Sequence, residues 1–302
     1  MKQFFSNGKL LISGEYVVLD GAVSLAVPTK FGQSLTVEKI NEPKIIWKSL
    51  DETGTVWFEN EFVFKAGQVL NLNTKDEISN RLIEILNTAK ALNPNFLSEE
   101  LGIKVSTKLD FPKNWGLGTS STLINNIANW AQVDAYALLE KTFGGSGYDI
   151  ACAQNNSAIT YQLTEKVKQV AEVSFNPIFK DSLYFVHLNK KQNSREGIKH
   201  YREHKDNLES AINAVNSITQ KMIVCNALED FKTLIEQHEA IIAKVTKQSP
   251  VKDALFADFN GAIKSLGAWG GDFVLVASNE DPVGYFKDKG FNTVVAYKDM
   301  VL

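Results

Sequence analysis

The sequence predicts an α+β fold of two domains, and three observations carry that expectation. Strand-like and helix-like segments stand in separate blocks instead of alternating as βαβ units. The 302 residues exceed what one compact core usually organises, so two subdomains of roughly 150 residues are expected, with a junction near Asn176-Pro177. The composition, 44% hydrophobic and 22% charged, is that of a globular protein and excludes disordered, collagen-like and coiled-coil chains.

The opening block is antiparallel in character. Leu10-Leu11-Ile12, Tyr16-Val17-Val18-Leu19 and Ser34-Leu35-Thr36-Val37 are β-rich runs punctuated by Gly14, Asp20-Gly21 and Gly32. The pattern continues through Ile45-Ile46-Trp47, Val56-Trp57-Phe58 and Phe62-Val63-Phe64, with a turn at Asp51-Glu52-Thr53-Gly54. From Asp76 to Leu92 the apolar positions Ile78, Leu82, Ile85, Leu86 and Ala89 recur with a helical period, and Ile103 to Thr107 then alternates as a strand. Two helices are expected after Gly118. Strand character returns at Ala158 to Leu163 and Ser182 to Val186, and Ser194 to Phe259 is mostly helical, broken at Pro250. Phe273 to Val276 and Thr293 to Ala296 are expected to be closing strands around a helix near Pro282 to Lys289.

With 32 basic and 35 acidic residues the formal charge is −3, so no general footprint for nucleic acid or an anionic membrane exists. Cys152 and Cys225 are the only cysteines, too few for a disulfide scaffold or a cysteine metal site, and both are expected to be small buried residues. The N-terminus lacks the apolar stretch of a signal peptide, and no run of about 18 apolar residues occurs. A soluble cytoplasmic protein is the expectation.

Common chemical signatures are absent: there is no G-x-x-x-x-G-K-[ST], G-x-S-x-G, H-E-x-x-H, C-x-x-C or EF-hand loop. Four segments remain. Gly116-Leu117-Gly118-Thr119-Ser120-Ser121 runs straight into an apolar helical pattern. Its glycines allow close backbone approach, and a helix start favours phosphate, although a plain glycine turn with a hydroxyl N-cap reads equally from these residues. Gly144-Gly145-Ser146-Gly147-Tyr148-Asp149 leads three glycines into one acidic residue, either a helix cap or a base held by a rigid loop. Gly267-Ala268-Trp269-Gly270-Gly271-Asp272 feeds an apolar strand, where glycine bends the backbone or approaches a ligand. Lys9 and Glu15 flank a short apolar strand, where a lysine is ordinarily solvated. His200 and His204 share a spacing suited to a metal pair, but Lys199, Arg202, Glu203 and Lys205 around them read as a solvated face.

Together and in this order, these segments resemble the GHMP kinase superfamily, which includes galactokinase, homoserine kinase, mevalonate kinase and phosphomevalonate kinase. The family's P-G-K-x-x-x-x-G-E segment corresponds to Asn7-Gly8-Lys9 through Gly14-Glu15. Its G-L-G-S-S-A phosphate loop corresponds to Gly116 through Ser121, and its late G-A-G-G-G turn to Gly267 through Gly271. Gly14 to Leu19, Gly145 to Ala151 and Gly270-Gly271-Asp272 are most similar to the phosphomevalonate kinase branch. Departures are Asn7 for proline, Thr119 and Ser121 in the phosphate loop, and Trp269 where glycine is usual, an indole expected to narrow the pocket. Glu140 lies near the position of a second metal-binding carboxylate in mevalonate kinases, at a spacing that does not match.

The resemblance implies a two-domain fold, with residues 1–176 similar to ribosomal protein S5 domain 2, residues 177–302 ferredoxin-like, and the active site in the cleft. It implies an ATP- and Mg²⁺-dependent kinase acting on a small-molecule substrate, phosphomevalonate first, in the mevalonate route to isoprenoids. Mevalonate kinase, diphosphomevalonate decarboxylase and a non-catalytic ligand-binding protein are the alternatives. By the same resemblance Gly116, Leu117, Gly118, Thr119, Ser120 and Ser121 bind the nucleotide, with Ser120 the metal ligand, and Asp149 and Lys9 are catalytic. Glu15, Tyr16, Ser146, Gly147, Gly270, Gly271 and Asp272 are implied to bind substrate. Lys30, Lys190, Lys191 and Arg195 are candidate cations for a phosphorylated acceptor. The expected partners are that substrate and, as one option, a second copy in a homodimer.

Overall fold

The computed structural model describes residues 1–72, 76–97, 102–165 and 167–302. In chain order the elements are β1 (Lys2–Leu11), β2 (Ser24–Ile40), β3 (Ile45–Leu50), β4 (Val56–Lys65), β5 (Gln68–Asn71), α1 (Glu77–Leu92), β6 (Gly102–Leu109), α2 (Thr119–Ala131), α3 (Ala135–Thr142) and α4 (Tyr148–Gln154). Then follow β7 (Ile159–Thr164), β8 (Val167–Glu172), β9 (Leu183–His187), α5 (Ser194–His204), α6 (Glu209–Val224), α7 (Leu228–Thr246), α8 (Val251–Leu255), β10 (Ala262–Ser265), β11 (Phe273–Ala277), α9 (Val283–Asp288), β12 (Val294–Ala296) and α10 (Tyr297–Met300). The architecture is α+β, as the segregated strand and helix blocks lead one to expect. No helix among the described residues is long and apolar enough to cross a membrane.

By its contacts the chain divides into two compact units. The first comprises Met1–Gly8, Phe31–Lys113 and Leu117–Gln154; the second comprises Lys9–Lys30, Asn114–Gly116 and Asn155–Leu302. The expected junction near Asn176 lies inside the second unit, between β8 and β9.

In the first unit the strand order is β5-β4-β3-β6-β2. β3 is antiparallel to β4, with Ile45 opposite Phe62, and parallel to β6, with Ile45 opposite Ile103. The parallel step is feasible because β4, β5 and α1 intervene and carry the chain back across the sheet. β3 alternates buried Ile45, Trp47 and Ser49 with half-buried neighbours, the signature of a one-sided sheet. Leu82, Ile85, Leu86 and Ala89 of α1 meet Trp47, Phe62, Ile124 and Ile127 in one core. Ile78 departs from the periodic reading, being largely exposed in the first turn that Asp76 caps.

The second unit contains an antiparallel sheet of order β10-β11-β9-β12, with Phe273 opposite His187 and Ser265 opposite Val274. Val186, Val274, Val276, Phe256, Phe259 and Phe286 form the core against it. Here too, Ser24 to Ala26 of β2 pair with β7, which pairs with β8.

Tyr16 to Leu19 is not a strand. Val17–Asp20 is a 3-10 turn between Gly14 and Gly21, both at positive φ, and Val17 and Val18 are buried. Burial, not strand pairing, is what these two valines serve, so tertiary packing overrides their β propensity. Cys152 is buried as expected, whereas Cys225 is partly exposed just after α6.

Candidate functional site

In the second unit, the stem of the glycine loop is held at each of its three residues. One ring nitrogen of His187 lies 3.0 Å from the Asn114 carbonyl oxygen. The Trp115 ring meets Phe273 edge-on at 5.3 Å. Lys9, half-buried in β1, donates its Nζ to the Gly116 carbonyl at 2.7 Å. Gly116 has φ 66°, and a Cβ there would overlap the Asp272 carboxylate, so both conformation and space require glycine.

Asp272 is itself left-handed at φ 51°, a conformation Asp tolerates better than most side chains. Its N–H donates to the Lys190 carbonyl at 2.7 Å and its carbonyl accepts from Leu188 at 2.8 Å. Its carboxylate accepts from the Gln192 N–H at 3.2 Å. Burial pushes the Asp272 carboxyl up from its ordinary value, opposed by that amide and by Lys9, His187 and Lys191.

In the first unit, the loop continues into α2. Leu117 is buried; Gly118, at φ 98°, occupies the cap position, so no side chain caps the helix, and its first turn contains no acidic residue. That leaves the positive end of the helix dipole to whatever anion approaches. Thr119 is half-buried and Ser120 exposed. Ser121 donates its hydroxyl to the Gly118 carbonyl at 2.9 Å, and Thr122 donates to Gln33 Oε1 at 2.8 Å. Behind them a buried polar chain fixes the helix: Ser6 donates to Asn126 Oδ1, Asn125 to Ser6 Oγ, and Gln154 of α4 to Asn125 Oδ1.

Asp149 stands half-buried in the first turn of α4, with one carboxylate oxygen accepting from the Ile150 N–H at 3.1 Å. Gly144, Gly145 and Gly147 precede it at φ 67°, 107° and 91°, which explains why three glycines are spent on one short loop. Ser146 and Gly147 are buried. Burial, and then the charges of Asp134, Cys152 and Asp149, push the Tyr136 phenol up to about 12. Glu140 is exposed on α3.

Glu15 and Tyr16 face inward in the second unit. Glu15 is ion-paired with Lys264, both fully buried, and its other oxygen lies 3.4 Å from His238 Nε2. That imidazole nitrogen accepts from the Gly14 N–H at 2.9 Å, and burial together with Lys264 holds the His238 pKa well below its ordinary value, so the ring is neutral. Glu239 accepts from Ser265 Oγ beside them. The Tyr16 hydroxyl accepts from the Trp269 N–H at 3.0 Å, and its ring stacks on Tyr201. Trp269 packs among Tyr16, Val17, Ala22, Tyr201, Val215 and Ile242, so the indole serves the core of this unit. Gly270 is exposed and Gly271 buried against the Lys190 and Gln192 backbone.

Lys30 donates to the Lys298 carbonyl at 2.6 Å, and Lys190, Lys191 and Arg195 are exposed. The His200 ring nitrogen Nε2 lies 2.8 Å from the Thr246 carbonyl oxygen. Among the described residues no group of three or more His, Cys, Asp or Glu could hold a metal.

Four functional-looking residues escaped the sequence reading: Lys264, His238, Glu239 and His187. The signal for Lys264 was a lysine inside Ala262–Ser265, a segment otherwise short and apolar enough to be a strand.

No protein-family profile matches the chain, and no curated protein sequence matches it. Its fold matches solved structures along almost its whole length. Against Streptococcus pneumoniae phosphomevalonate kinase in complex with phosphomevalonate and AMPPNP, the TM-score is 0.71 at 13% identity, covering 97% of this chain and 99% of that one. Against Methanococcus jannaschii mevalonate kinase it is 0.70 at 15% identity, covering 97% and 96%. Against Lactococcus lactis galactokinase complexed with galactose it is 0.66 at 15% identity, covering 95% and 88%. The chain has the two-domain α+β fold of the GHMP kinases.

Proposed function

We propose that the protein is an ATP- and Mg²⁺-dependent small-molecule kinase and that its acceptor is phosphomevalonate. The observation that carries the kinase reading is the start of α2, capped by a left-handed glycine and free of acidic residues, in a chain with a GHMP kinase fold. Gly116 through Ser121 take the nucleotide's phosphates, mainly through backbone N–H groups, since the Ser121 hydroxyl is committed to Gly118. Lys9 supplies fixed positive charge against the charge that develops on the transferring phosphoryl. Ser146 and Gly147, in the glycine loop ahead of Asp149, shape the acceptor site. In the second unit, Tyr16 supports the turn that carries Gly270 and Gly271 by accepting from the Trp269 backbone N–H, and Glu15 is buried on Lys264.

Mg²⁺ suits the donor set. This ion keeps several waters and needs few protein ligands, and the exposed Ser120 hydroxyl supplies one where no dedicated carboxylate cage is found among the described residues. When bound it neutralises phosphate charge. Asp149 orients the acceptor oxygen. For an acceptor phosphate, whose second pKa is about 6, little deprotonation is needed; for an alcohol Asp149 must also take the proton.

Phosphomevalonate is preferred on the Gly14 to Leu19, Gly145 to Ala151 and Gly270 to Asp272 segments. Mevalonate is the second reading, supported by a fold match of nearly equal quality. An ADP-release assay with mevalonate, phosphomevalonate, homoserine and galactose decides: phosphomevalonate is expected to be fastest. Turnover with another acceptor alone replaces the acceptor and keeps the kinase, CO₂ release marks a decarboxylase, and nucleotide binding without any turnover marks a non-catalytic protein.

A further inference from the structure

We propose that Asp272 is a positioning residue that, with His187 and Lys9, holds the stem Asn114–Gly116 and thereby the phosphate loop that follows it in the chain, without touching the substrate. The inference rests on the kinase reading for its consequence and on the second unit's geometry for its cause. The Asp272 carboxylate is packed against Gly116 so closely that no Cβ fits between them. It is aimed there by the Gln192 N–H, while its own backbone is tied on both sides, to Lys190 and to Leu188. His187, on the strand paired with β11, meets the Asn114 carbonyl, and Phe273, the residue after Asp272, meets Trp115. Three consecutive stem residues are therefore gripped by His187 of β9, by Phe273 of β11 with Asp272 just before it, and by Lys9 of β1.

The charge arrangement argues against a direct ligand role. A carboxylate turned toward bound phosphate would repel it, whereas this carboxylate is packed against the backbone of the stem at Gly116. Lys9 in turn donates to the Gly116 carbonyl. Asp272 thus packs against the same stem residue that Lys9 holds by its carbonyl.

The test compares the full chain with Asp272→Asn and Asp272→Ala by hydrogen exchange over residues 114–118 and by AMPPNP binding. Asparagine keeps the left-handed backbone and the acceptor oxygen and loses only the charge; alanine loses all three contributions. Exchange at 114–118 is expected to rise about tenfold in the alanine variant and less in the asparagine variant, with β10 unchanged. AMPPNP affinity is expected to fall about tenfold while the acceptor KM stays within about twofold. Unchanged exchange at 114–118, exchange rising across the whole second unit, or an acceptor KM that rises with AMPPNP affinity intact would each overturn the proposal. If the unaltered protein binds no AMPPNP, the kinase reading fails and the exchange measurement still decides the positioning role.

Discussion

Lys264 and Glu15, 249 residues apart in the chain, form an ion pair from which solvent is wholly excluded on both sides. Glu15 Oε2 has no hydrogen-bond partner, so Lys264, with the backbone N–H groups of Glu15 and Gly267, compensates the buried carboxylate. Burial pushes the Glu15 carboxyl up and Lys264 opposes that shift. Replacing one partner leaves the other charge stranded. Lys264→Met is expected to destabilise the fold by about 3–5 kcal/mol, measured by urea unfolding, and adding Glu15→Gln to it is expected to recover part of that loss.

Glu239 makes stability depend on pH. Burial pushes its carboxyl from 4.5 to about 7, opposed by Lys264 and reinforced by Glu15. The folded chain keeps this proton until about pH 7 while the unfolded chain releases it near 4.5. The associated stability is therefore complete below 4.5 and is lost as pH rises through about 7. At 1.36 kcal/mol per unit the loss amounts to about 3 kcal/mol. Unfolding measured across that range should show the decline in the unaltered protein and a flatter profile in Glu239→Gln.

Gly118→Ala separates binding from folding. At φ 98° an alanine is strained by about 1–2 kcal/mol, and the first turn of α2 must shift to relieve it. AMPPNP affinity is expected to fall by more than the loss of stability measured on the same variant.

Asp149→Asn reports the acceptor. If Asp149 only orients an ionised phosphate, kcat should fall modestly, by about tenfold; if it must deprotonate an alcohol, the loss should reach about 10²–10⁴-fold. AMPPNP binding should persist in either case, which a calorimetric titration checks.

Trp269 behaves as a core residue. Trp269→Ala is expected to cost about 3–5 kcal/mol, because the indole fills the cluster around Tyr16 and Tyr201. Trp269→Phe should cost much less, since the indole N–H is buried without a partner and its removal forfeits no hydrogen bond. Thermal unfolding of both variants checks the contrast.

Much of the candidate site could be read from local chemistry. Gly116, Gly118, Gly144, Gly145 and Gly147 all take positive φ, and a run of glycines ahead of an apolar period announces such backbone before any fold is known. The α1 period was legible for the same local reason, apart from Ile78 at its exposed start. Val17 and Val18 were not, because two β-branched residues look alike in a strand and in a buried turn.

By itself the sequence determined where the backbone must bend and where a helix would begin without a side-chain cap, because those features depend on residues a few positions apart. Only the tertiary structure decided what Glu15, Trp269 and Asp272 face. A glutamate beside a strand gives no sign of its partner until a lysine from β10 is brought against it, and an indole in a glycine turn reads as an obstacle until a core closes round it. Asp272 likewise gains its setting from Gly116, Lys9 and Gln192, segments far apart in the chain. Burial and charge compensation are properties of long-range packing, which a local pattern does not encode.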